Sequence, residues 1–279
     1  MASTVFPAAG GGVTKQQTDF TASGTWTAPA GVYSAEFLVV GAGGSGGGLL
    51  SSLVTQYTAS GGGGGGGVKN INLTVTPGTS YTITIGAKGT GSTGVGANGG
   101  FSEVLDGASS LIKCYGGGGG WGLTGIVQVL PTLLNASAGM GGISNGGTTN
   151  TRFGGGGGGA NPFIDSYGET NSEGSGVKNG GASYPDYGGR SIGNAGFNGY
   201  GAGGGGGVNS SAAQVYPAAM GGSSFAGNSY FRTTTGSNVG DAAVANTGCG
   251  GGGSVSRLTA GSVSGGDGSD GLVRVVYFA

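Results

Sequence analysis

The sequence contains no histidine, and only 8% of its residues are charged. Without histidine the chain cannot form a Ser-His-Asp triad or a Cys-His pair, and most zinc sites are excluded. The few carboxylates show no paired spacing of the kind that a glycosidase needs. These carboxylates include Asp165, Glu169, Glu173, Asp186, Asp241, Asp267 and Asp270. We therefore expect a protein that is not an enzyme and that needs no metal or cofactor.

Net charge is nearly absent as well, at −1, and the 10 basic residues are scattered singly. Nucleic-acid binding is not expected, because it would call for clustered Lys and Arg. No apolar run approaches the roughly 20 residues that span a membrane, and residues 1–20 do not resemble a secretory signal. We expect synthesis in a cytosol and no membrane insertion. Cys114 and Cys249 each adjoin a glycine block, which favours small packing residues over a redox pair.

Glycine is what the sequence has in excess, with 76 of 279 residues, against roughly 7% in ordinary proteins. Collagen is excluded because the glycines occur in blocks and only 7 prolines are present. Disorder is disfavoured because 35% of the residues are hydrophobic and the net charge is near zero. Flexible linkers are the remaining alternative, but these blocks recur between loops too small to be domains. The composition therefore favours an ordered architecture that only glycine fits.

Blocks of five to seven glycines suit packed polyglycine-II helices, which have three residues per turn and a rise of about 3.1 Å. Neighbouring helices can exchange N–H···O bonds in several directions, with Cα–H···O contacts in support. Any Cβ inside such a lattice would push the backbones apart. The glycine blocks lie at 41–48, 61–67, 116–120, 139–142, 154–159, 203–207 and 249–253.

Alternating apolar residues predict β-strands near both ends of the chain. Residues 20–40 predict two strands around a Pro-Ala-Gly turn, and residues 68–85 predict a β-hairpin that turns at Pro77-Gly78. A third pair of strands is predicted within 99–117. The last strand, within 270–279, has no neighbour in sequence and must pair with a strand from the first part.

We thus predict an all-β fold plus a polyglycine-II helix array, with essentially no α-helix. A split antiparallel β-module carries a glycine-rich sandwich insertion. The expected units are an N-terminal attachment segment at 1–19, the β-module with inserted glycine blocks at 20–115, the polyglycine-II array with its loops at 116–268, and the closing strand at 269–279.

Three stretches carry a family resemblance: "FTASGTWTAPAGVYSAEFLVVGAGGSGGG" (20–48), "VTPGTSYTITIGAKG" (75–89) and "GGDGSDGLVRVVYFA" (265–279). Their order resembles the glycine-rich domain of bacteriophage tail-fibre and tail-tip proteins, and is similar to the polyglycine-sandwich adhesins of phage long tail fibres. The resemblance implies a receptor-binding protein of the virion tail. Its partners would be a host outer-membrane protein or surface saccharide and another tail protein, and a homotrimer remains open.

The loops between the glycine blocks carry the side chains that could recognise a receptor. Tyr, Trp and Phe beside Ser, Gly and Asn are typical of adaptable recognition loops. The candidate receptor-binding residues are Tyr57, Trp121, Ile126, Phe163, Tyr167, Tyr184, Tyr187, Tyr216, Tyr230 and Phe231. The alternative is that these residues cap the array or pack subunits together. The chain would then be a structural tail or capsid protein.

Overall fold

The computed structural model describes residues 13–51, 57–124, 127–129, 145–147, 151–153, 198–210, 221, 223–232, 235–257 and 261–279. These residues form β-strands and extended glycine segments, and none of them is helical. The predicted all-β fold without α-helix is confirmed for this part of the chain.

Eight strands form a β-sandwich of two four-stranded sheets. The first sheet contains β1 (Lys15–Phe20), β3 (Ser34–Val40), β6 (Val68–Thr74) and β19 (Leu272–Phe278), in the order β1-β19-β3-β6. The second contains β2 (Gly24–Thr27), β7 (Ser80–Thr84), β8 (Ser102–Asp106) and β9 (Ser109–Cys114), in the order β2-β7-β8-β9. Every pairing in both sheets is antiparallel.

The core lies between these two sheets and follows the period-two pattern of the sequence. Phe37 and Val39 of β3 and Val273 and Val275 of β19 pack against side chains of the second sheet. The Trp26 ring lies edge-on to Phe37, with ring centroids 5.6 Å apart. The two strands predicted within 20–40 are therefore confirmed, as β2 and β3.

The last strand closes the first sheet, as its isolation in the sequence predicts. β19 lies between β1 and β3, with Val273 opposite Phe20 on one side and opposite Val39 on the other. Residues 15–20 thus belong to the sandwich. The pair within 99–117 is confirmed as the β8–β9 hairpin, in which Gly107 has a φ of 57° at the turn.

The predicted hairpin over 68–85 is wrong. β6 pairs with β3 in the first sheet, whereas β7 pairs with β2 and β8 in the second. Pro77 and Gly78 (φ 81°) carry the chain from one sheet to the other. The alternating pattern does not distinguish a hairpin from a crossing between the two sheets. Val75 and Tyr81 are buried in the inter-sheet core, and a hairpin would bury them as well.

Beyond the sandwich, the glycine segments form a hydrogen-bonded array with a repeat of three residues. Within 41–48, Gly41, Gly44 and Gly47 donate to the carbonyls of 67, 64 and 61 at 2.8–2.9 Å. The residues one place further along, 42, 45 and 48, donate to the carbonyls of 100, 97 and 94. Gly43 and Gly46 donate to 269 and 266. Successive amides thus point to three different neighbours, which is the periodicity of a three-fold extended helix.

Carbonyls of the 41–48 segment accept from further neighbours. Gly117 and Gly120 donate to residues 42 and 45, and Gly251 and Ser254 donate to residues 44 and 47. Gly89 donates to Gly43. Segment 41–48 is therefore surrounded by other extended segments, and its amides and carbonyls bond to them rather than to each other.

The array has little room for side chains. A Cβ on Gly44 would collide with the Gly118 carbonyl, and one on Gly63 would collide with the Gly44 carbonyl. The same conflict with a neighbouring backbone occurs at most of the array glycines that the structure describes. This packing explains why the blocks are nearly pure glycine.

Candidate functional site

The glycine segments separate the sandwich from a second set of strands. Segment 41–48 leaves β3 and leads into β4 (Leu49–Ser51), and β5 (Tyr57–Ala59) leads back through 60–67 into β6. Segment 116–121 follows β9 and leads into β10 (Gly122–Thr124), and β18 (Gly261–Val263) precedes 264–271 and β19. We call the end of the array away from the sandwich the distal end.

Short sheets form at the distal end. Besides β4, β5, β10 and β18, they contain β11 (Val127–Val129), β12 (Asn145–Gly147), β13 (Thr151–Phe153), β14 (Val208–Ser210), β15 (Phe231–Arg232), β16 (Gly236–Asn238) and β17 (Val255–Arg257). Their orders are β11-β10-β4-β18, β12-β5-β17-β16 and β13-β14-β15. Chain segments far apart in sequence are therefore brought together beyond the glycine array.

Buried serine hydroxyls fix the distal end of the array. The Ser60 hydroxyl donates to the Gly47 carbonyl at 2.5 Å and lies 3.1 Å from the Ser254 hydroxyl. The Ser254 amide donates back to the Ser60 hydroxyl at 2.6 Å. Because β5 precedes Ser60 and β17 follows Ser254, these bonds tie both strands to the array and give the distal sheets a rigid support.

Tyr57 and Trp121, two of the predicted site residues, lie at this end. Tyr57 begins β5, and its backbone is paired with Gly147 and Arg257. Trp121 is half-buried and directly precedes β10, and its carbonyl accepts a hydrogen bond from Gly61 at 3.0 Å. The array therefore holds the backbone of Trp121 in place.

Tyr230 and Phe231 also lie at the distal end. Phe231 begins β15, where its backbone is paired with Val208 of β14. The exposed Tyr230 donates its hydroxyl proton to Asp241 Oδ1 at 2.7 Å. This hydrogen bond and the negative charge of Asp241 raise the pKa of Tyr230, so its hydroxyl stays protonated and oriented at neutral pH.

The structure thus brings Tyr57, Trp121, Tyr230 and Phe231 to one end of the array, although they come from three separate parts of the sequence. The other predicted site residues lie outside the described residues: Ile126, Phe163, Tyr167, Tyr184, Tyr187 and Tyr216.

The glycine blocks recognised in the sequence do not include every array segment. Residues 86–100 run out from β7 and back into β8, and Gly94 accepts from Gly48 at 2.7 Å. Residues 265–271 are a further array segment, in which Gly266 donates to Gly252 at 2.8 Å. Both contain side chains among their glycines, which hides them from a search for pure blocks.

An ion pair joins these two segments. The Lys88 ammonium donates to Asp267 Oδ2 at 2.6 Å, and the Gly91 amide donates to Asp267 Oδ1 at 2.7 Å. Partial burial alone would raise the pKa of Asp267, but the bonds from Lys88 and Gly91 hold it below its ordinary value. Asp267 is therefore charged at neutral pH and links the two segments.

The described residues contain no cluster of three or more His, Cys, Asp or Glu side chains that could hold a metal ion. Within the same residues, no helix is long and apolar enough to cross a membrane. What the distal end offers is a rigid backbone with aromatic residues at its edge, an arrangement suited to recognition.

A family model described as "Glycine-rich domain" matches residues 7–278. No curated protein matches the chain.

Proposed function

The chain belongs to the glycine-rich domain family, and its glycine array carries aromatic residues at one end. We therefore propose that it is a bacteriophage tail-fibre or tail-tip adhesin. In this proposal the distal end recognises a host outer-membrane protein or surface saccharide, and the sandwich faces another tail protein. The protein would be made in the host cytoplasm and assembled into the virion tail. Recognition involves no catalysis.

The observation that carries the proposal is the common location of Tyr57, Trp121, Tyr230 and Phe231 beyond the glycine array. Glycine loses more conformational freedom on folding than any other residue, so a folded array of this kind requires an extensive network of backbone bonds. That network preorganises the distal end, and preorganisation lowers the ordering cost of binding. Aromatic side chains on such a support give large contact areas.

The sandwich end offers different chemistry. Tyr33 directly precedes β3 and therefore lies at the end of the sandwich away from the array, with 69% of its surface exposed. Phe278, at the end of β19, is also exposed. In the proposal these residues face the tail, where an apolar contact with another subunit would cover them.

The test is binding of the purified protein to a panel of bacteria that have an outer membrane. Trp121→Ala and Tyr230→Ala are the distal variants, and Tyr33→Ala is the matched control, an exposed aromatic at the opposite end. A further variant replaces 160–173 with a Gly-Ser segment of equal length. Urea denaturation of each variant checks that the fold is retained.

We expect saturable cell binding that the distal changes weaken and that Tyr33→Ala leaves unchanged. Equal binding by the wild type and all distal variants would contradict the proposed site. No binding to any strain, together with loss of assembly in the distal variants, would instead favour the structural tail or capsid protein.

A further inference from the structure

A groove lies on the outer face of the first sandwich sheet, remote from the distal end. Segment 198–200 passes over this face, and Tyr200 packs on the apolar cluster of Val40, Val68 and Leu272. Beside it the structure leaves a cavity of about 340 Å³, within the usual range for small-molecule sites. Its polar lining includes Lys15, Glu36, Asn70, Asn198, Tyr200 and Arg274.

Two hydrogen-bonded pairs hold the polar side chains of the groove in place. Arg274 donates to both carboxylate oxygens of Asp19, from Nε at 2.8 Å and from Nη2 at 2.9 Å. Asn70 donates from Nδ2 to Glu36 Oε1 at 2.8 Å. Side chains fixed in this way lose little rotamer freedom when a ligand binds.

Hydrogen-bonding capacity remains beyond these pairs. Glu36 Oε2 accepts no hydrogen bond within the described part of the chain, and Lys15 has no ion-pair partner there. The amides of Asn70 and Asn198 each carry both a donor and an acceptor. The groove therefore presents donors and acceptors side by side.

The rest of the lining is apolar, and the charges of the groove cancel. Leu38 and Val276 lie between the polar side chains, and Tyr200 adds an aromatic ring. Lys15 and Arg274 are balanced by Glu36 and Asp19, so the groove does not select for an ion. A ring carrying many hydroxyls on one side and C–H groups on the other matches this lining.

We propose that this groove binds a neutral saccharide unit, with its hydroxyls on Glu36, Asn70 and Lys15 and its C–H face against Tyr200. The site goes beyond the proposed receptor binding at the distal end, because it uses none of the same residues. The two proposals can therefore fail independently.

The probe is lactose, titrated at millimolar concentrations into the full chain and followed by amide chemical shifts in NMR. Glu36→Gln is the main variant, because glutamine keeps the shape of the side chain while removing its charge. Tyr200→Leu tests the ring. Asn72→Ala is the matched control, since Asn72 is exposed on β6 opposite Glu36 but does not line the groove. Inorganic phosphate is titrated separately as an anionic probe.

We expect saturable shifts at Glu36, Asn70 and Tyr200 with lactose, affinity weakened about tenfold by Glu36→Gln, and no change with Asn72→Ala. Three results would overturn the proposal: no saturable shift at these residues, shifts with phosphate but not with lactose, or equal affinity in Glu36→Gln. Distal variants such as Trp121→Ala should leave the lactose titration unchanged even if they abolish cell binding.

Discussion

The Gly44 amide donates to the Gly64 carbonyl at 2.9 Å, across two glycine segments that run in opposite directions between the sandwich and the distal end. Neither residue has a side chain to keep the backbones apart. Backbone hydrogen bonds of this kind hold the array together. Substitutions at single glycines can test how much the stability of the protein depends on them.

Gly44→Ala should destabilise the protein strongly, whereas Gly94→Ala should not. A Cβ on Gly44 would collide with the Gly118 carbonyl, and a backbone group inside the array cannot move aside. A Cβ on Gly94 meets nothing within 4 Å, and its φ is not in the left-handed region. We expect a loss of about 3 kcal/mol at Gly44 and a gain of about 0.4–1 kcal/mol at Gly94, measured by urea denaturation with tryptophan fluorescence. Equal effects at the two positions would show that the array is not packed as described.

Hydrogen exchange should distinguish the array from flexible glycine linkers. The amides of Gly44, Gly47 and Gly64 are buried and bonded to neighbouring segments, so they should exchange as slowly as amides of the central strand β3. Gly31, which is exposed at a turn, serves as the internal control and should exchange rapidly. Rapid exchange at all four glycines would contradict an ordered array.

The sequence predicts the parts of this fold that depend on local periodicity. Val273 and Val275 lie on one face of β19, and Leu272 and Val276 lie on the other, and this alternation identifies β19 as a strand. The same pattern failed at Pro77-Gly78, because a hairpin and a crossing between two sheets place Val75 and Tyr81 equally well. The two arrangements differ in whether β6 pairs with β7 or with β3. The pairing with β3 joins residues that are distant in sequence, so local periodicity does not reveal it.

The extent of the array was underestimated for a physical reason. Positions such as Ala97 and Asp267 sit in array segments where a Cβ has room, so the segments do not consist of pure glycine. The grouping of Tyr57, Trp121 and Tyr230 at one end was also not predictable, because it follows from the direction of each glycine segment relative to the sandwich.

The ion pair between Asp19 and Arg274 should make stability depend on pH in the acid range. The hydrogen bond from Arg274 lowers the pKa of Asp19 below its ordinary value. A lowered folded-state pKa contributes stability above the unfolded value, and this contribution is lost as pH falls through the folded value. Because the pair is partly exposed, we expect Asp19→Asn to cost about 1 kcal/mol or less at pH 7.

The measurement for Asp19→Asn is urea denaturation of both proteins between pH 7 and pH 2. The stability difference between wild type and variant should shrink below about pH 4, and it should also shrink in high salt. A difference that stays constant with pH would show that the loss comes from packing rather than from the charge of Asp19.

Both cysteine thiols should be unreactive in the folded protein. Cys114 is fully buried in the sandwich core, and this burial raises the pKa of its thiol to about 12. Burial raises the pKa of Cys249 as well, and its Sγ lies 3.1 Å from the Gly199 carbonyl. Because the thiolate is the reactive form, iodoacetamide at pH 8 should modify neither residue in the native state and both in urea. Native labelling of Cys249 alone, followed by mass spectrometry of the peptide, would mean that segment 199–207 opens without unfolding of the sandwich. Labelling of Cys114 under the same conditions would contradict the packing of the core itself.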